Sequence, residues 1–346
     1  MDYILGPPVR ERNGDCWVRL ADDIRKCVVF IGVAGHRGAA DIEPLGSGFF
    51  VDTCEPDGVY LVTARHVIQA LIDAPFCIRF NNRSGEGQIE HVDEADWIFH
   101  PTDNTVDVAI LRLGIPLWAD CIPIAAGGRI PMLLREDRFK AKEFGPGDLV
   151  YTVGLWKFLH GKKRNLPFVH VGHIGMIPED ERVPVKGWAP EHNEVEFVEA
   201  YLVQGEPLNG ASGSPVFVRR SIRNPSIKDA EWKLEAWVHG SVWLLGLLSD
   251  IFTDDVDDYI RLSKNDKIVS KGINVVVPSM KIHEVLGQPK LVKQRRLAAE
   301  NKLISEGRVA SKASLAAHQS SDVNPTHRED FTSLLSAAAK TPPQGE

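Results

Sequence analysis

Three side chains set far apart in the chain are of the types that together perform nucleophilic catalysis: His66, Asp107 and Ser212. A serine hydroxyl is a weak nucleophile near neutral pH. It needs a base, usually an imidazole, and the imidazole needs a carboxylate to fix its tautomer and steady its cation. Ser212 lies in NGASGSPVFV, a glycine- and serine-rich turn that enters an apolar run. His66 lies in YLVTARHVI, where an apolar strand gives way to a helical turn, and Asp107 opens DVAILRL after a polar loop. Each also has an ordinary structural reading. Glycine and serine mark turns, His66 is one of 12 histidines, and aspartate is common ahead of a strand.

Other chemistry finds less support. His170 and His173 in VHVGHIG are separated by an odd offset, which puts them on opposite faces of a strand and argues against a shared metal. GVAGHRG lacks the lysine and spacing of a phosphate loop, so neither metal nor cofactor is expected. The basic turn HGKKRN, at His160 to Asn165, reads as an exposed hairpin loop, and the acids of DIFTDDVDDY as a solvated run that could steer a basic substrate. A formal charge of -7 gives no positive excess for nucleic acid. The five cysteines, Cys16, Cys27, Cys54, Cys77 and Cys121, form no C-x-x-C pair, and the pattern fits reduced thiols. No eighteen consecutive residues are apolar, and the first residues have no basic region followed by an apolar run. A cytoplasmic protein without membrane contact is expected.

The elements that must position these residues are short. Runs such as CVVFIGV, GSGFFV, GVYLVT, DVAILRL, DLVYTVG, FVHVGHIG, SPVFV, VWLLGLLS and INVVVP are rich in β-branched and aromatic residues and bounded by Gly, Pro, Asn and Asp. Many short strands with few helical periods between them predict an all-β sandwich or barrel. The chain divides into a lead-in over 1–24, a first β half over 25–127, a second over 128–288 and a tail over 289–346. The tail is polar and rich in Ala, Ser, Lys and Arg, which predicts a solvated helix and a linker. Near its end Thr326 and Glu329 have capping-box spacing, with Phe331, Leu334, Leu335 and Ala338 on one face of a helix over 326–340.

The order His66, Asp107, Ser212 resembles that of the chymotrypsin-like (trypsin-like) serine peptidases, and the chain is similar to bacterial high-temperature-requirement proteases. GSGFFV, TARHV, DVAILRL, GASGSPVF and LLGLLS match the family's motifs in order. The resemblance implies a chymotrypsin-like double antiparallel β-barrel, six strands in each barrel, with the catalytic cleft between them and a helical or disordered tail. It also implies that Ser212 attacks the scissile carbonyl, His66 transfers the proton, Asp107 orients the imidazole, and the N–H groups of Gly210 and Ser212 form the oxyanion hole. Ser249 matches a serine near the aspartate. Glu206, Ser249, Asp250 and Ile251 fall around the substrate pocket, where Glu206 at its base would favour Lys or Arg and Ile251 on its wall a small aliphatic residue. The latter is the preferred reading. Ala211 and Ser214 depart from the family pattern, and the missing acid at 211 implies a peptidase not activated by amino-terminal cleavage. The expected function is a serine endopeptidase. The alternatives are a silent peptidase fold that binds proteins, or an esterase with the same triad. A regulatory protein docking on 326–340 is the expected partner besides a protein or peptide substrate.

Overall fold

The computed structural model describes residues 20, 22–36, 38, 40–71, 75–92, 96–125, 144–178, 181–186, 195–206, 210–219, 242–251 and 272–305. The side chains of Lys186, Asp250 and Ile251 and the expected helix over 326–340 lie outside this description.

The apolar runs become strands. The first half holds β1 (Val28–Ala34), β2 (Ile42–Asp52), β3 (Val59–Thr63), β4 (Phe76–Asn81), β5 (Gly87–Val92), β6 (Ala109–Arg112) and β7 (Ile124–Ala125), with a short helix, α1 (Arg65–Gln69), after β3. The second holds β8 (Leu149–Gly154), β9 (Phe168–Met176), β10 (Val183–Lys186), β11 (Val195–Val198), β12 (Tyr201–Gln204), β13 (Pro215–Arg219), β14 (Val242–Ile251) and β15 (Ile273–Pro278), followed by α2 (Ser279–Leu286) and α3 (Pro289–Ser305). Strands 8, 9 and 12 to 15 close a barrel, while β10 and β11 form a separate ribbon. The first half is a seven-stranded sheet in the order β5-β4-β1-β2-β3-β6, with β7 joining β2 in parallel. This differs from the closed six-strand barrel expected there. Among the described residues the ladder is open between β5 and β6, and only the isolated bridges Asn82–Ala119 and Ile98–Ile110 extend it. The all-β, chymotrypsin-like class stands.

Alternation along the second-half strands joins the halves. Val216, Val218, Trp243, Leu245 and Val150 fill the barrel interior, whereas Phe217, Val242, Leu244, Tyr151 and Val153 point the other way, into a core shared with Phe30, Phe49, Tyr60 and Val62. Successive residues of a strand face opposite sides, so one set of strands serves both cores. Helix α2 buries Ile282, Val285 and Leu286 in the shared core, and Leu291, at 2% exposure, joins them. Gln288 donates its amide to the Phe99 carbonyl at 2.8 Å. The chain divides into compact units Met1–Lys293 and Gln294–Glu346, so the first unit continues past residue 288.

Candidate active site

Strand register brings the catalytic candidates to chain ends that meet. Thr63 at the end of β3 lies opposite Ala109 at the start of β6. His66, three residues beyond Thr63, and Asp107, two residues ahead of Ala109, therefore leave the ladder at the same end. Asp107 occupies the centre of a tight three-residue turn closed by the Val108 N–H on the Val106 carbonyl at 2.9 Å. Its carboxylate accepts the His66 main-chain N–H at 2.9 Å on Oδ1 and meets His66 Nδ1 at 2.8 Å on Oδ2. The Ser249 hydroxyl donates to the same Oδ2 at 2.5 Å. Ser249 thus sits on the aspartate, and it also lines a small cavity with His66, Val198 and Val275.

Asp107 is buried, whereas the His66 side chain keeps 25% exposure. Burial alone would raise the Asp107 carboxyl. The His66 imidazole, its ring hydrogen bond, the Ser249 hydroxyl and the His66 N–H together outweigh burial and hold it below its ordinary value. The site therefore keeps a charged carboxylate beside the imidazole, as an orienting group requires.

In the second half, Pro215 at the start of β13 pairs with Leu247 on β14. The Gly213 N–H donates to the Leu248 carbonyl at 2.8 Å, and the Leu248 N–H to the Ser214 carbonyl at 2.8 Å, which places the Ser212 turn beside Ser249. The same turn sits against the histidine segment. A Cβ at Gly213 would fall 2.1 Å from the Ser47 carbonyl oxygen, 2.5 Å from Thr63 Oγ1 and 3.2 Å from the Ala64 nitrogen. A Cβ at Gly46 would meet Val67 at 2.7 Å and the Ser212 carbonyl oxygen at 3.0 Å. Val67 and Ser212 thus flank one glycine. Gly210 and Gly213 take φ of +89 and +82, a region that side chains disfavour. Among the described residues neither the Gly210 nor the Ser212 N–H has a hydrogen-bond acceptor. Two such donors beside a hydroxyl are suited to a developing oxyanion.

Sequence reasoning missed the residue that ties these pieces together. Ser47, fully buried, donates its N–H to the Ser212 carbonyl at 2.9 Å. Its Oγ accepts the Leu155 N–H at 2.8 Å, and its carbonyl accepts the Thr63 hydroxyl at 2.7 Å. The signal was the GSGFFV motif itself, whose serine stands between two glycines that let backbone approach. Ser214, which departs from the family pattern, is accommodated by Gly154: a Cβ there would fall 1.7 Å from Ser214 Oγ.

Of the pocket candidates, Glu206 is exposed and follows Gly205, whose carbonyl accepts the Asn274 amide at 3.1 Å. Asn274 lies opposite Ile251, and Val275 opposite Asp250. A Cβ at Gly205 would fall 2.6 Å from His170 Nε2, a buried atom with no hydrogen-bond partner among the described residues. Burial pushes His170 down, and the nearby Glu206 charge opposes that. His170 and Asn274 were not legible as neighbours of this segment. Among the described residues no three His, Cys, Asp or Glu side chains cluster as metal ligands.

Comparison with known proteins gives the family of the fold. The trypsin-like peptidase domain model matches residues 46–221, about half of the chain. The chain belongs to the trypsin-like peptidase family. The matched region contains His66, Asp107 and Ser212. Among solved structures, Deg5 is 13% identical, with 75% of this chain and 87% of that chain covered at a TM-score of 0.40. The active form of the Rv3671c protease from M. tuberculosis is 15% identical, with 76% and 81% covered at a TM-score of 0.37. No curated protein matches the chain.

Proposed function

We propose that the chain is a serine endopeptidase that works through an acyl-enzyme. The observation that carries this reading is the bond from His66 Nδ1 to a buried carboxylate that Ser249 also holds, at 2.8 Å. With Nδ1–H donated to Asp107, Nε2 is the unprotonated nitrogen that takes the Ser212 proton as Oγ attacks the peptide carbonyl. The resulting oxyanion is received by the N–H groups of Gly210 and Ser212. His66 then passes the proton to the leaving amine, and a water repeats the sequence on the ester to release the acid and restore Ser212. None of these steps calls for a cofactor. The primary pocket lies between Gly205–Glu206 and the Asp250–Ile251 end of β14 and takes a small aliphatic side chain.

The thiols of Cys27, Cys77 and Cys121, which form no disulfide, support a reducing, cytoplasmic setting, and no helix among the described residues is long and apolar enough to cross a membrane. A regulatory protein that recognises the sequence 326–340, with its Phe331, Leu334 and Leu335, completes the proposal. The activity is tested with a fluorophosphonate probe on the native chain and on Ser212→Ala. Labelling of the native chain alone, with turnover of peptides, is expected. Equal or absent labelling points to a silent binding fold, and turnover of esters without peptides to an esterase.

A further inference from the structure

We infer that Arg79 is a positioning residue for the oxyanion donors: from the first half it clasps the loop of the second half on which Gly210 rests. The inference rests on the proposed activity only for its kinetic test.

Arg79 lies on β4 and is fully buried. A buried guanidinium must have its N–H groups met. Among the described residues they are met by carbonyl and amide oxygens and by no carboxylate. Nε donates to Asn165 Oδ1 at 2.7 Å, Nη2 to the Gly161 and His160 carbonyls at 2.9 and 3.1 Å, and Nη1 to the Ala40 carbonyl at 3.3 Å. Three of these four acceptors belong to the loop between β8 and β9. Asn165 returns its amide to the Arg79 carbonyl at 2.5 Å. It also exchanges two bonds with the Asn81 side chain, at 2.7 and 3.0 Å. The Gly87 N–H donates to the Lys163 carbonyl at 2.6 Å, and the Leu166 N–H closes the loop on the His160 carbonyl at 3.1 Å. The basic turn predicted to be an exposed hairpin loop does join the paired strands β8 and β9 with Lys162, Lys163 and Arg164 exposed, but its backbone is pinned to β4 and β5.

The other end of this loop touches the site. Leu155, bound to Ser47 Oγ, and Lys157, at the start of a single 3-10 turn, each stand 3.2 Å from where a Cβ on Gly210 would lie. Gly210 is held at φ +89 against that wall. Four residues separate Gly210's support at Leu155 from the His160 carbonyl that Arg79 holds, and the turn Lys157–Leu159 lies among them. Burial brings the Arg79 guanidinium down to about 10 despite the opposing Asp41 charge, so it stays protonated and donating at neutral pH. Removing it would leave the Ala40, His160 and Gly161 carbonyls and the Asn165 amide oxygen without this donor. The loop, and the wall behind Gly210, would then be free to shift.

The test uses the full chain with Arg79→Met and, as a milder second lesion of the same clasp, Asn165→Ala. Hydrogen exchange is read first because it needs no activity. Exchange over 155–166 and 210–214 should rise by roughly 10-fold or more while β1 stays protected. Kinetics on matched ester and thionoester substrates then read the oxyanion donors, because sulfur is a poor hydrogen-bond acceptor. The variants should lose roughly 10- to 100-fold in kcat with KM nearly unchanged, and the ester-over-thionoester preference should shrink. Arg79→Lys, which keeps the charge but not the fork, should recover part of both losses. Native exchange at 210–214 in both variants overturns the proposal whatever the activity. So does exchange raised equally in β1, which would make Arg79 a general fold residue, or an unchanged ester-over-thionoester ratio alongside Ser212-dependent turnover. If the native chain has no Ser212-dependent turnover, the peptidase reading fails, and exchange alone decides the clasp.

Discussion

Asp107 and the turn that carries Ser212 are both held still, but by different means. Asp107 takes hydrogen bonds from the His66 N–H, the His66 ring and the Ser249 hydroxyl, all at 2.9 Å or less. Among the described residues the Gly210–Gly213 turn leaves the Gly210 and Ser212 N–H groups unengaged; it is fixed through its other groups, by the Gly213 N–H on Leu248 and the Ser47 N–H on the Ser212 carbonyl, and by close backbone approach, with Gly213 lying where a Cβ would strike Ser47 at 2.1 Å. A group that must stay charged is best fixed by donors, which lower its energy in the charged form. A group that must offer N–H donors to a transient oxyanion cannot use them up in the resting protein, so packing must hold it. The comparison teaches that polar substitutions test one side of the site and steric ones the other.

The largest effect separates the site from the scaffold. Ser212→Ala or His66→Ala should each remove on the order of 10⁶-fold of peptide turnover, and the double variant little more, since the two act as one unit. Asp107→Asn should cost about 10⁴-fold, because an amide favours the wrong tautomer. Turnover and thermal melting on the same variants check both. Multiplicative losses in the double would break the unit.

Gly213→Ala probes the steric side. A side chain at φ +82 facing backbone at 2.1 Å should cost about 3 kcal/mol of stability and most of the activity. Gly114→Ala, where nothing lies within 4 Å, should leave both near native. Denaturant melts of the pair measure the contrast, and equal melts would remove the claim that packing holds the turn.

Ser249→Ala probes the polar side more gently. Loss of one hydrogen bond to a buried carboxylate corresponds to about 1.5 to 3 kcal/mol, or roughly 10- to 100-fold in turnover. A loss confined to KM would instead return Ser249 to the pocket.

The smallest expected effect is on pH dependence. Asp107 is held below its ordinary value in the folded chain, so folding favours its charged form. That contribution is complete above its unfolded value of about 4 and is lost as pH falls through the lower folded value. Asp107→Asn should therefore flatten the fall in melting temperature below about pH 4 and leave the fall intact elsewhere. An unchanged acid slope would show that other carboxylates dominate it.

Strand positions and the segments that carry the candidate site residues were readable because both are local. Val, Ile and Phe runs between turn residues specify strands wherever they occur, and TARHV, DVAILRL and GASGSP each carry their chemistry within a few residues. That β5 and β6 do not pair among the described residues was not readable, since closure depends on how far a sheet coils and not on which residues are strands. Nor were Ser47 beneath Ser212, Gly154 beneath Ser214, His170 beside Gly205, or Arg79 on the 160–165 loop. HGKKRN looked solvated because its side chains are charged, yet its backbone carbonyls hold a buried cation. Carbonyl oxygens leave no mark in a sequence, since every residue has one. Only the packing of one half on the other decides which of them a distant guanidinium or serine will reach.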